Sequence, residues 1–227
     1  MQHTVIKDKI IKLNVDIEKV YEDIENNGFS LFPVGVINKD QFLEFCYNFG
    51  EVIPSGRGKT LVDEILINNG TGTEKLPFHT DKSYWRIPPR YEILYINDVD
   101  KMEFGEITIS SIKKAFESLT PSEQEQLISL ESKYSAPSNR DSGYNPSAKF
   151  VNIVDGKIEF FRYRLDIFSS DCEAIKKMSD LIEENHYKIK YNKGDILILD
   201  NWLYAAGRNI TRWGENGFRH MFRTLII

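Results

Sequence analysis

A histidine and a carboxylate lie two residues apart at His79 and Asp81, in the segment LPFHTDKSY that begins at Leu76. On an extended backbone, side chains at positions i and i+2 point to the same face, so these two groups can reach one point in space. An imidazole and a carboxylate placed in this way are two of the three ligands of a 2-His-1-carboxylate iron site. The same pair is also compatible with ordinary hydrogen bonding at the end of a strand.

The composition limits the classes of protein to which the chain can belong. Its 227 residues are 41% hydrophobic and 28% charged, which is typical of a soluble globular protein with a single domain over residues 1–227. A net charge of −5 without a basic stripe argues against a nucleic-acid partner. Two cysteines, Cys46 and Cys172, are too few for a disulfide framework or a zinc site.

No apolar run approaches the roughly 20 residues that a membrane-spanning helix needs. The N-terminus also lacks the apolar region of a signal peptide. We therefore expect a cytoplasmic protein that does not enter the membrane. The sequence leaves its oligomeric state open.

Capping residues and turn signals predict the elements that position the pair. Asp16, Asn38 and Thr120 precede amphipathic patterns and predict helix starts, and Asp155-Gly156 predicts a hairpin. Further strands are predicted over residues 5–15, 29–36, 64–68, 91–97, 187–191, 195–200 and 218–227. Residues 55–58 are expected to form a surface loop, and residues 134–148 a loop long enough to be a lid. This pattern favours a mainly β protein with flanking helices (α+β) and a jelly-roll core, that is, a double-stranded β-helix.

Several segments together resemble the taurine dioxygenase and clavaminate synthase superfamily of Fe(II)/2-oxoglutarate oxygenases. The resemblance runs from about residue 26 to the C-terminus. It is carried by NNGFSLF from Asn26, LPFHTDKSYWRIPPRYEILYI from Leu76, GEIT from Gly105, KGDILILDNWLYAAGR from Lys193 and FRHMFRTLII from Phe218.

The resemblance implies cofactors and residue roles. It implies that Fe(II), 2-oxoglutarate and O2 meet in the barrel mouth, with His79 and Asp81 as iron ligands. It assigns to Thr108 a hydroxyl contact with the 2-oxoglutarate carboxylate and to Arg219 a pairing with the far carboxylate of that cosubstrate. Arg223 is assigned to a position near the substrate or cosubstrate. The strand pattern agrees for the arginines, because residues 219, 221 and 223 share one face of a strand. A guanidinium also suits a carboxylate, which it can hold with two parallel hydrogen bonds.

One residue departs from the family pattern. Ala206 stands where the second histidine ligand is expected, directly before Gly207-Arg208. A methyl group has no electron pair to donate, so the ligand set is one short. Neither His220, which is expected to face away from Arg219, nor His186, at a helix end, is a convincing substitute. The alanine is either an engineered replacement or a natural loss of the ligand.

The resemblance implies hydroxylation of a small polar molecule, such as an amino acid or a biosynthetic intermediate, with desaturation or cyclisation as variants. The carboxylate at Asp81 argues against halogenation. Lys82, Arg162 and Arg164 are candidates, with Arg223, for contacting an anionic group of the substrate. The alternative is a non-catalytic binding protein on the same jelly roll. A zinc hydrolase is more remote, because it would leave Thr108 and Arg219 without a role.

Overall fold

A computed structural model describes residues 13–54, 60–68, 74–133, 147–165, 172–210 and 212–227. The chain forms five described α-helices, and one 3₁₀ turn follows the second of them. The helices are α1 (Ile17–Asn27), α2 (Lys39–Cys46), α3 (Ile112–Glu117), α4 (Pro121–Ser129) and α5 (Glu173–Glu184). No described helix is long and apolar enough to cross a membrane.

Three of these helices begin where the capping residues predict. Asp16 accepts a hydrogen bond from the Lys19 N–H at 3.1 Å, which satisfies one of the free donors of the first turn of α1. Asn38 and Thr120 each form a capping box at the start of α2 and α4. The predicted helix starts are confirmed.

The strands form two main antiparallel sheets and two short hairpins. The strands are β1 (Phe29–Pro33), β2 (Val52–Ile53), β3 (Asp63–Asn68), β4 (Leu76–His79), β5 (Tyr91–Phe104), β6 (Ile107–Ser111), β7 (Glu131–Lys133), β8 (Ser147–Lys149), β9 (Val151–Val154), β10 (Lys157–Phe161), β11 (Tyr187–Ile189), β12 (Asp195–Asp200), β13 (Tyr204–Arg208) and β14 (Arg212–Ile226). The larger sheet has the order β1-β12-β5-β14-β2, with β3 also paired to β14. The smaller sheet has the order β11-β6-β13-β4.

An apolar layer fills the space between the two sheets and includes Ile109, Leu197 and Met221. The outer face of the larger sheet packs against α1 and α2, where Phe42 and Ile24 are buried. The outer face of the smaller sheet packs against α3 and α5, where Met178 is buried, and α4 packs against α5. Curled antiparallel sheets with helices outside form the predicted jelly roll, so the fold class is confirmed.

Some predicted boundaries differ from the observed ones. Strand β5 continues to Phe104, seven residues beyond the predicted end, because it pairs with the long β14 over most of its length. The predicted hairpin at Asp155-Gly156 is present between β9 and β10. The predicted strand over residues 5–15 is described only from residue 13, and residues 13–15 are not in a strand. The predicted loop at 55–58 lies outside the described residues, as does 134–146 of the predicted lid.

Candidate active site

His79 ends strand β4, and its ring is held in one orientation. Its Nδ1 lies 2.9 Å from the Pro77 carbonyl, which can only accept a hydrogen bond. The neutral ring therefore carries its proton on Nδ1 and leaves a lone pair on Nε2, the arrangement that metal-ligating histidines use. The Nε2 atom lies 3.4 Å from Asp81 Oδ1, so the two side chains converge as the spacing predicts.

Asn201 fixes the backbone of Asp81. The Asp81 N–H donates to Asn201 Oδ1 at 2.6 Å, and Asn201 Nδ2 donates to the Asp81 carbonyl at 3.1 Å. The same Nδ2 donates to the Pro89 carbonyl at 2.7 Å. Asn201 is 5% exposed, so little water is available to satisfy the Asp81 and Pro89 backbone groups in place of its side chain. Asn201 lies in the family-like segment that begins at Lys193, but no role was predicted for its side chain.

Ala206 lies directly beside His79. Strand β13 is central in the smaller sheet, where Ala206 pairs with His79 of β4 on one side and with Ile109 of β6 on the other. A Cβ at Gly207 would lie 3.1–3.2 Å from the Leu76 carbonyl, the Phe78 nitrogen and Thr108 Oγ1. A glycine is therefore suited to this position, where its neighbours approach closely.

These groups line one partly open pocket. It has a volume of about 180 Å³ and is lined by His79, Asp81 and Ala206 together with Arg219 and other residues of the barrel interior. An outer cavity of about 620 Å³ shares several of its walls, including His79 and Asp81. The two cavities form one cleft, with an inner part and an outer part.

Arg223 holds a cluster of three carboxylates at the cleft. Its guanidinium lies 2.9 Å from Asp81, 3.0 Å from Asp63 and 3.7 Å from Glu92. The prediction places Arg223 near the substrate or cosubstrate; Arg223 lines both parts of the cleft, and there it also pairs with Asp81. Sequence reasoning missed Asp63, which stands in none of the family-like segments, and Glu92, which lies in the segment from Leu76 but was given no role.

This cluster sets the charge of the carboxylates. Burial alone would raise the pKa of Asp81, but Arg223 and His79 outweigh it and hold that pKa below its usual range. Asp81 is therefore ionised at neutral pH, as a metal ligand must be. Burial, reinforced by the Asp81 charge, raises the pKa of Glu92 to about 7. Burial lowers the pKa of His79, and Asp81 raises it by more.

Arg219 lines the inner part of the cleft and is 2% exposed. Its Nη1 donates to the Tyr191 hydroxyl and, at 3.4 Å, to the Gly105 carbonyl. Within the described residues, its buried Nε has no hydrogen-bond partner. Burial lowers the pKa of the neighbouring Arg208, and the charge of Arg219 adds to this effect. An anionic ligand in the inner cleft would relieve both costs.

The assignment of Thr108 to the cosubstrate is not supported. Side chains alternate along β6, and its neighbours Ile107 and Ile109 belong to the apolar layer inside the barrel. The Thr108 hydroxyl lies on the opposite face, 3.2 Å from where a Cβ at Gly207 would be. Ile107, not Thr108, lines the inner cleft.

The three cations predicted to contact substrate differ in position. Lys82 and Arg164 line the outer part of the cleft with His79 and Asp81. Arg162 does not: it is 4% exposed and donates to the Ser83, Trp85 and Arg86 carbonyls. Its predicted substrate contact is therefore replaced by a role in holding the turn after the His-Asp motif.

The two other histidines within the described residues, His186 and His220, do not complete the site. His220 pairs with Asn97 at 2.8 Å and faces Glu64 at 3.7 Å, on the opposite face from Arg219, as predicted. His186 contacts the Glu183 carbonyl at the end of α5. In the described part of the chain, no three His, Cys, Asp or Glu side chains are grouped to hold a metal ion. The donor set therefore does not fit a three-residue iron centre.

Comparison with known proteins identifies the family to which the chain belongs. The family model described as "Taurine catabolism dioxygenase TauD, TfdA family" matches residues 10–225. The chain belongs to the TauD/TfdA family. Clavaminate synthase 2 from Streptomyces clavuligerus is 22% identical over 165 residues, covering 68% of this TauD/TfdA chain and 51% of that enzyme. The match thus spans about half the length of this curated relative.

Solved structures agree with this TauD/TfdA membership at the level of the fold. The PvcB protein from Pseudomonas aeruginosa superposes with a TM-score of 0.72 at 19% identity, covering 94% of this chain and 80% of PvcB. An asparagine oxygenase bound to Fe(II), hydroxyasparagine and succinate superposes with a TM-score of 0.78 at 15% identity, covering 93% and 78%. At these identities, the similarity establishes the jelly-roll fold.

Proposed function

We propose that this TauD/TfdA-family protein is an Fe(II)- and 2-oxoglutarate-dependent oxygenase of a small polar molecule, in a form that lacks the second histidine ligand. The observation that carries the proposal is the convergence of His79 and Asp81 on the cleft directly beside Ala206. Arg219, buried in the same inner cleft, supports it.

Each residue has a role that its contacts support. His79 Nε2 and Asp81 Oδ1 are the donors that face the cleft. Arg223 keeps Asp81 ionised and oriented through its 2.9 Å ion pair. Arg219 offers its buried guanidinium to a carboxylate of 2-oxoglutarate. When bound, Fe(II) with 2-oxoglutarate and O2 supplies the oxidising chemistry, and the barrel orients the substrate and excludes water.

The outer cleft supports a small substrate that carries both charges. Lys82 and Arg164 line it as cations, and Asp63 and Glu64 line it as anions. A zwitterion such as an amino acid suits walls of both signs. Two of the structural neighbours are an asparagine oxygenase and an oxygenase solved with L-Arg, which supports the same class. Hydroxylation of a C–H bond is the proposed outcome.

A second candidate is a binding protein without catalysis. The observation that favours it is Ala206, because two protein donors hold a metal ion less firmly than three. In this form the inner cleft would still take a dicarboxylate through Arg219. The two candidates differ in whether a donor at position 206 is all that is missing.

Restoring the donor tests the proposal. Ala206→His should place an imidazole beside His79, because the strand pairing already aligns the two positions. We expect the variant to release succinate from 2-oxoglutarate under air with added Fe(II), several-fold faster than the unmodified chain. Ala206→His combined with His79→Ala is the control and should return to the background rate. If Ala206→His binds iron and 2-oxoglutarate but makes no more succinate than the unmodified chain, the binding-protein candidate replaces the oxygenase proposal.

A further inference from the structure

A second pocket lies at the end of the barrel opposite to the cleft, and we call it the basal pocket. It has a volume of about 430 Å³, within the usual range of small-molecule sites. Strand β13 connects the two places, because Tyr204 lines the basal pocket and Arg208 lines the inner cleft. Strand β6 does the same, with Ser111 at the basal pocket and Ile107 at the inner cleft. Among the described residues, the walls of the basal pocket and those of the cleft have no member in common.

Aromatic rings form part of the basal pocket. The ring of Tyr204 lies so close to Gly28 that a Cβ atom there would collide with it, so the ring is held in place. Phe29 begins β1, at the end of the larger sheet in the described strand order, and Tyr187 begins β11, at the end of the smaller one. Tyr187 is 59% exposed. Such rings offer flat apolar surfaces against which the C–H groups of a ligand can pack.

The polar groups of the basal pocket are mostly neutral amides and hydroxyls. They belong to Asn26, Asn27, Ser110, Ser111, Ser118, Asn185, Tyr187 and Tyr204. Ser110 and Ser118 donate to backbone carbonyls at 3.2 and 2.8 Å, which leaves their oxygen atoms as acceptors. Asn185 Nδ2 donates to the Leu181 carbonyl at 2.9 Å, so the amide oxygen also remains an acceptor. A ligand with several hydroxyl groups can donate to these oxygens and accept from the other amides.

The charges around the basal pocket nearly cancel. Lys114 is the one charged side chain among the described residues that line it. Helices α1 and α5 both end there, and neither has a basic residue in its last turn. A helix C-terminus carries roughly half a unit of negative charge, so the two ends together offset the ammonium group of Lys114. A neutral ligand therefore fits best, because a charged one would lose its hydration without gaining a partner charge.

We propose that the basal pocket binds a neutral polyhydroxylated molecule of the monosaccharide class. The rings suit the C–H faces of such a molecule, and the amides and hydroxyls suit its hydroxyl groups. The balance of charge disfavours sugar acids and amino sugars. The basal pocket uses no residue of the cleft, so its occupancy does not depend on the proposed function.

Proton–nitrogen correlation NMR of the unmodified chain tests the proposal, with glucose, galactose and mannose as probes. At least one sugar should shift the side-chain amide signals of Asn26, Asn27 and Asn185, whereas the amide of Asn201 beside the cleft should not respond. We expect a dissociation constant in the millimolar range, as for other weakly bound ligands of about a dozen heavy atoms. Absence of binding by all three sugars, or shifts confined to the cleft, would overturn the proposal.

Charged analogues and a competitor test the ligand class and the location. The 2-amino and uronic acid forms of the best neutral sugar should each bind several-fold more weakly than that sugar. Tighter binding of either charged form would overturn the proposal. Adding 2-oxoglutarate, which probes the cleft, should not displace the sugar, and displacement would move the sugar from the basal pocket to the cleft.

Variants at exposed positions locate the ligand without removing buried side chains. Tyr187→Ala should weaken sugar binding several-fold, whereas Tyr47→Ala removes a tyrosine that is 50% exposed outside the basal pocket and should leave binding unchanged. Lys114→Met removes the positive charge, so the two helix ends should then favour the 2-amino sugar over the neutral one. Unchanged binding in Tyr187→Ala, an equal loss in Tyr47→Ala, or an unchanged order of affinities in Lys114→Met would each overturn the proposal.

Discussion

Replacing Asn201 by alanine should destabilise the protein and loosen the site together. The Asn201 side chain makes three buried hydrogen bonds to the backbone: one from the Asp81 N–H, one to the Asp81 carbonyl and one to the Pro89 carbonyl. Alanine can replace none of them. The change removes a side chain that connects the loop after β12 to the Asp81 segment and to the Pro89 segment.

The magnitude follows from the groups left without partners. A buried polar group that loses its partner costs about 1–3 kcal/mol. The Asp81 N–H and the Pro89 carbonyl both lie at buried residues, so we expect the free energy of unfolding to fall by about 2–6 kcal/mol. Typical domains have roughly 5–15 kcal/mol in total, so this loss is large.

Urea unfolding of both proteins measures this difference, with circular dichroism as the signal. Asn185→Ala is the matched control, since the exposed Asn185 side chain makes one hydrogen bond to the Leu181 carbonyl, worth about 1 kcal/mol. Under the proposed function, Fe(II) binding to His79 and Asp81 should weaken as well, by roughly 10–100-fold, as for other residues that orient metal ligands. An Asn201→Ala loss no greater than that of Asn185→Ala would refute the reasoning.

Two further predictions concern the cleft. Arg219→Ala should weaken 2-oxoglutarate binding by about 1.5–3 kcal/mol, because it removes charge-assisted hydrogen bonds. Calorimetric titration measures this difference, and equal affinities would refute the assignment of Arg219 to the cosubstrate. Glu92→Gln should gain stability over the unmodified chain as the pH rises from 5 to 8. The folded-state pKa of Glu92 is raised from 4.5 to about 7, so the stability of the unmodified chain falls as the pH rises between these two values and stays lower above 7. The loss amounts to about 3 kcal/mol, and glutamine avoids it. Unfolding measured at both pH values checks this, and a difference independent of pH would contradict it.

Short-range periodicity predicted the parts of the site that depend on it. In β14, the alternation that placed Arg219 and Arg223 on one face is observed, and both line the cleft. The argument for His79 and Asp81 reached the correct result, although β4 ends at His79. Asp81 lies in the following turn, and its position depends on Asn201 as well as on local geometry.

The remaining site residues could not be predicted because they depend on pairing between distant segments. Asp63 and Arg223 are 160 residues apart in sequence, and only the pairing of β3 with β14 brings them together. Thr108 shows a second limit of prediction from sequence, which is the register of a strand. A motif can place a hydroxyl in the right strand, but only the register decides which face it occupies, and a shift of one residue reverses the face.

Position 206 is held by main-chain pairing on both sides, to β4 and to β6, and this has a consequence for how the protein can change. Backbone ladders do not depend on which side chain a residue carries, so exchanging alanine and histidine there leaves the strand order intact. We therefore expect that the proposed metal-binding donor at position 206 can be added or removed by substitution without a change of fold.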